Sequence, residues 1–172
     1  LCARPNFWLC ELWNEGNPFA WHLSLESKLV FSSNNEDYLK SLGFPRPYCN
    51  CFHDCMKFYT LFKDAQKSIA IRPSSRVFDL STIFLSIRNI ATCYSLGMSE
   101  TPVFSRNSAL HIGEYSLNIT NEAYEILLRS RILCTRGYGP NISDQEFRIA
   151  ASQFEKINDW MAFLVKGVSI DC

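Results

Sequence analysis

Residues 76 to 97 carry apolar side chains around most of a helical circumference: Val77, Leu80, Ile83, Phe84, Ile87, Ile90, Ala91 and Tyr94, with Gly97 as a stop. A helix with one apolar stripe lies on a surface, whereas this pattern demands neighbours on nearly every side. The rest of the chain must therefore supply helices that surround it.

Three more helices are predicted. Over 52 to 71, Phe58, Leu61, Phe62, Ala65 and Ile69 share a stripe opposite Lys57, Lys63, Asp64 and Lys67. Over 121 to 136, a helix starts after a capping Thr120 or Asn121 and ends before Gly137 and Gly139-Pro140. From Ser143, with Glu146 three residues on as a capping box, Phe147, Ala150, Phe154, Ile157, Met161, Leu164 and Val168 hold helical register as far as Gly167. Ser99 to Asn118, with Pro102 and Gly113, is too irregular for a full helix. The expected fold is all-α, an antiparallel up-and-down four-helix bundle.

Before residue 50 the character differs. Asn14-Glu15-Gly16-Asn17-Pro18, Ser32-Ser33-Asn34-Asn35 and Gly43-Phe44-Pro45-Arg46-Pro47 punctuate short aromatic segments. Residues 4 to 14 read as a short helix, and 19 to 31 as a helix or a strand. The predicted organisation is an irregular extension over 1–50 and a helical domain over 51–172. Because the chain opens at Leu1 without Met, the extension is read as the remnant of another domain. No segment resembles a signal peptide or a membrane span, so no membrane association is expected.

Lys plus Arg and Asp plus Glu each number 17, giving no net charge and no bulk attraction to polyanions. Any anion site must be local. The 13 Phe, 7 Tyr and 4 Trp exceed what a core of this size needs, so Phe7, Trp8 and Trp13 are expected to cover a partner, and the chain to form a homodimer. Eight cysteines and two glycosylation sequons, at Asn118 and Asn141, raise a secreted reading. The cysteines mostly sit in apolar runs, where a reduced Cys packs as a small hydrophobe, and this favours the cytoplasm. Cys49-Asn50-Cys51-Phe52-His53-Asp54-Cys55 has zinc-type ligands at the wrong spacing. Helical steps of 100° put Cys51 and Cys55 on the apolar face and His53 on the other, so they are expected to pack in the core, with no metal and no cofactor.

Polar residues that interrupt an apolar face carry the functional signal, because an unpartnered buried charge costs several kcal/mol. Arg88 falls within about 40° of Phe84 and about 20° of Val77. Arg131 lies amid Tyr124, Leu127, Leu128 and Ile132, while Arg129 and Arg136 project from the other face. Arg131 forms either an ion pair with Asp79 or Glu26, or a fixed guanidinium aimed at a phosphate between helices.

Ile87-Arg88-Asn89-Ile90-Ala91-Thr92-Cys93-Tyr94 resembles the signature of the HEPN superfamily (higher eukaryotes and prokaryotes nucleotide-binding), an all-helical bundle. Its ribonuclease members carry Arg, a polar residue, three further residues and His. Arg88 and Asn89 match, but Cys93 stands at the His position, and a thiol of pKa about 8.5 is a poor acid or base at neutral pH. Arg106-Asn107-Ser108-Ala109-Leu110-His111 repeats the pattern with its His intact, in the irregular stretch.

The resemblance extends over about 20 to 168 to proteins in which such a bundle follows a nucleotidyltransferase domain and binds its substrate. Residues 20 to 31 and 38 to 43 resemble the end of that domain, and 124 to 137 resemble a later bundle helix. No Gly-Ser motif with paired Asp is present, so the transferase Mg²⁺ site is missing. What the resemblance implies is a non-catalytic nucleotide- or substrate-binding domain with Arg88, Asn89, Arg131 and Arg136 as the anion-binding set, working with a nucleotidyltransferase domain or subunit. The alternatives are a metal-independent RNA endonuclease using Arg106 and His111, and a purely structural or oligomerising bundle.

Overall fold

The computed structural model describes residues 7–33 and 36–169, and among them the regular structure is entirely helical. By its internal contacts the chain divides into two units, Leu1–Asn50 and Cys51–Cys172.

In the first unit, α1 (Phe7–Glu15) and α2 (Pro18–Glu26) form a tight corner. Asn17 caps α2, its side chain accepting from the Phe19 N–H at 2.9 Å, and Pro18 follows where no backbone donor is needed. Gly16 permits the corner: its φ is +63°, and an added Cβ would lie 2.4 Å from the Pro47 carbonyl oxygen. Leu9, Trp13 and Ala20 form the core, against which Leu12, Leu23, Leu39 and Leu42 pack, the last two from and just after the short α3 (Tyr38–Ser41). Trp13 is thus part of its own core and not free to cover a partner; its indole N–H donates to the Gly43 carbonyl at 3.0 Å. Phe7 and Trp8 are exposed. The helix-or-strand ambiguity of 19 to 31 resolves as helix to Glu26 with an extended Ser27 cap, after which Leu29, Val30 and Phe31 are exposed.

In the second unit, α4 (Cys51–Ile71) and α5 (Arg76–Met98) form a hairpin through the 3-10 turn Pro73–Ser75. The thiols of Cys51 and Cys55 face the carbonyls of Cys93 and Ile90 on α5 at 3.4 and 4.0 Å. As the donor advances along α4 the acceptor retreats along α5, so the two helices run in opposite directions. Both thiols are buried and His53 is exposed, the faces that helical stepping assigned them. None of Cys10, Cys49, Cys51, Cys55, Cys93 and Cys134 is in a disulfide. Leu80, Ile83, Ile87 and Ile90 of α5 are fully buried, as its all-round apolar pattern requires.

Next, α6 (Asn121–Arg136) packs on α5. Thr120 caps it by accepting from the Ala123 N–H, and Gly137 ends it in the left-handed conformation, φ +61°. The helix expected over 143 to 167 is two: α7 (Asp144–Ala151), opened by the Ser143/Glu146 capping box, and α8 (Phe154–Val168). Ser152 breaks the register. Its hydroxyl donates back to the Ile149 carbonyl at 2.8 Å, and the Gln153 N–H reaches Ala150 in a tightened turn. Apolar spacing continues through a break of this kind, which is why periodicity alone reads one helix. Between α5 and α6, residues 99–118 are irregular yet packed: two 3-10 turns, Ser108–Leu110 and Gly113–Tyr115, bury Phe104, Ala109, Ile112 and Leu117. Among the described residues no helix is long and apolar enough to cross a membrane.

Candidate anion-binding cleft

Spacing on two helices and one loop builds the site. On α6, Leu128, Arg131, Ile132, Thr135 and Arg136 recur at three- and four-residue steps, so Arg136, expected on the other face from Arg131, instead lines the same cleft. Phe84, Leu85 and Arg88 on α5 lie opposite, and Arg106 comes from the 99–118 segment. Together they line a cleft of about 350 Å³, near the lower end of ordinary ligand sites. Three members of the expected anion-binding set, Arg88, Arg131 and Arg136, meet here. Asn89 does not line the cleft.

The guanidiniums of Arg88 and Arg131 are positioned by neutral groups. Arg88 is half-buried; one terminal nitrogen donates to the Phe104 carbonyl at 3.3 Å, and its buried Nε has no hydrogen-bond partner. Arg131 donates to Ser81 Oγ at 3.4 Å. Of the two carboxylates expected for it, Asp79 accepts instead from Ser75 Oγ at 2.6 Å, and Glu26, a residue of the first unit, pairs there with His22 at 3.1 Å. Arg106 and Arg136 are exposed. The backbone of Arg106 is held by the Tyr124 hydroxyl, which donates to its carbonyl at 3.1 Å. The Ser108 hydroxyl, fully buried, donates to the Arg88 carbonyl at 2.9 Å and so ties the loop to α5.

The electrostatics are one-sided. No Asp or Glu lines the cleft, and among the described residues none of its four arginines is in an ion pair. Elsewhere in this unit two arginines are matched, Arg76 with Asp144 at 2.7 Å and Arg129 with Glu146. Burial first, then the Arg131 charge, lower the Arg88 pKa, with Arg106 adding to the effect and Tyr124 opposing it. The Tyr124 hydroxyl itself is pushed up to about 12, chiefly by burial. A guanidinium stays charged in a protein, so the unbalanced field is an attraction for an anion.

The second sequence pattern is split. Arg106 belongs to the cleft, whereas His111 is exposed, its Nδ1 2.9 Å from the Asn107 carbonyl oxygen, and does not line the cleft. Cys93, which stands where the resemblance places a His, is buried. Sequence reasoning assigned Arg106 to a separate site and missed the apolar wall of Leu85, Leu128 and Ile132. The Leu128-to-Arg136 stripe carried part of that signal.

No family model, curated protein or solved structure matches the chain.

Proposed function

We propose that this chain is a non-catalytic binding domain for a nucleotide or similar phosphate-bearing small substrate, the recognition part of a nucleotidyltransferase-like protein. In this reading α4, α5, α6 and the α7–α8 pair are the four members of an antiparallel HEPN-type bundle, and the arginine cleft is its ligand site. The observation that carries it is four guanidiniums on one cleft with no carboxylate among the lining residues. Arginine suits this task because its planar fork donates two parallel hydrogen bonds to phosphate oxygens. Leu85, Leu128 and Ile132 give an apolar wall for the organic part of the ligand. Cys51 and Cys55, buried thiols packed against α5, suit a reducing compartment such as the cytoplasm.

Thermal unfolding with added ATP tests this. Ligand at 100 times its dissociation constant adds about 2.7 kcal/mol, a rise of roughly 5–10 °C for a chain of this size. The parent should show the rise, and Arg88→Leu/Arg131→Leu should not. Labelled RNA incubated in EDTA should stay intact; cleavage that His111→Ala abolishes would replace the binding reading with the endonuclease one.

A further inference from the structure

We propose that the cleft selects a metal-free oligophosphate, the di- or triphosphate chain of its ligand, over a single phosphate and over the Mg²⁺ complex of the same chain. The proposal rests on the phosphate-binding reading above and specifies its ligand.

Charge and extent argue for a chain of phosphates. A single phosphate monoester carries a charge of about −1.5 to −2 at neutral pH and three terminal oxygens. Four guanidiniums, each with five donors, exceed what it can engage. The donors are also spread out: Arg131 and Arg136 are five positions apart on α6, roughly 7.5 Å along its axis, and Arg88 and Arg106 approach from α5 and the loop. A linear anion with oxygens along its length can reach several of them at once.

Selection against the metal complex follows from the lining. Proteins that take Mg²⁺ with a phosphate chain usually hold the ion through one or two carboxylates, while the ion keeps several waters. This cleft offers no Asp or Glu among its lining residues. Mg²⁺ on the chain would cancel two negative charges, occupy oxygens that the guanidiniums need and bring a cation among four others. The guanidiniums do here what a metal does at other phosphate sites.

The experiment is calorimetric titration of the 172-residue chain with inorganic phosphate, pyrophosphate and tripolyphosphate. Each is titrated in EDTA and again with excess Mg²⁺, ionic strength being matched with KCl so that screening is equal. Tripolyphosphate should bind at least about tenfold tighter than phosphate in EDTA, and Mg²⁺ should weaken it by about tenfold or more, since each tenfold step is the scale of one lost charged contact. Arg136→Gln, an exposed position, should narrow the gap between tripolyphosphate and phosphate while circular dichroism stays unchanged. Equal affinity for the three anions, or tripolyphosphate binding that Mg²⁺ leaves unchanged or strengthens, overturns the oligophosphate proposal while leaving phosphate binding standing. No binding of any of the three in EDTA overturns the phosphate-binding reading, and this proposal with it.

Discussion

Arg88 and Arg131, on adjacent helices, face one cleft without a carboxylate in its lining, and the Arg131 charge adds to burial in loosening the hold of Arg88 on its proton. Two like charges kept together in this way oppose folding and favour an anionic ligand. Under the proposed reading the cleft trades stability for binding, a compromise found at many functional sites.

Removing one of the charges should expose that trade. Arg131→Met keeps the apolar stem and gives up one long hydrogen bond to Ser81. Its unfolding free energy in urea is expected to stay within about 0.5 kcal/mol of the parent or to rise, while ATP affinity falls by about tenfold or more. A loss of more than about 2 kcal/mol would mark Arg131 as a structural residue instead.

Ser108 couples the loop to the cleft. Its buried hydroxyl holds the Arg88 carbonyl, and Arg106 lies two residues before it. Ser108→Ala should cost about 1 kcal/mol in thermal or urea unfolding and also weaken pyrophosphate binding severalfold. A stability loss with affinity unchanged would show that the loop does not position Arg106.

Glu146 gives a pH signature. The Ser143 backbone N–H, then the Arg129 guanidinium, then the Ser143 hydroxyl hold its carboxyl at a pKa of about 2, against an ordinary 4.5. A carboxyl lowered on folding stabilises above its unfolded pKa and loses that contribution as pH falls toward the folded value. Between pH 4.5 and pH 2 the melting temperature of Glu146→Gln should therefore fall less than that of the parent. Parallel curves would mean the capping box is not formed in solution.

In the first unit, Gly16→Ala is expected to destabilise by at least about 1 kcal/mol, since it strains a positive φ and drives a methyl into the Pro47 carbonyl. The direct readout is the Trp13 indole N–H, bonded to Gly43 in the parent, whose hydrogen-exchange protection should drop sharply. Retained protection would contradict the corner described for α1 and α2.

What the sequence made legible followed regular geometry. The all-round apolar pattern of α5, the Thr120 and Ser143 caps, the Gly137 stop and the inward faces of Cys51 and Cys55 all depend on helical steps or on neighbours within four residues. Arg88 and Arg131 are recognisable because they interrupt such patterns, whereas Arg136, which helical steps place on the other face, reaches the cleft from the last turn of α6. The break at Ser152 left no trace, since one hydroxyl turned toward its own backbone decides it while the apolar spacing runs on. Arg106 was visible only as a motif member; its arrival at the cleft depends on how 99–118 folds over α5, through Ser108, Phe104 and Tyr124, and no periodicity encodes that path. The burial of Trp13 is not legible in a short aromatic segment, because its partner carbonyl, that of Gly43, is thirty residues away in the chain.

The most direct measurement is calorimetric titration of ATP in EDTA into the parent chain and into Arg88→Leu/Arg131→Leu. The expected result is saturable binding of one ATP per parent chain, weakened by roughly a hundredfold or more in the double variant, the sum of two lost charge-assisted contacts. Equal affinity in the two proteins, or no binding to the parent at millimolar ATP, would contradict a phosphate site in the arginine cleft.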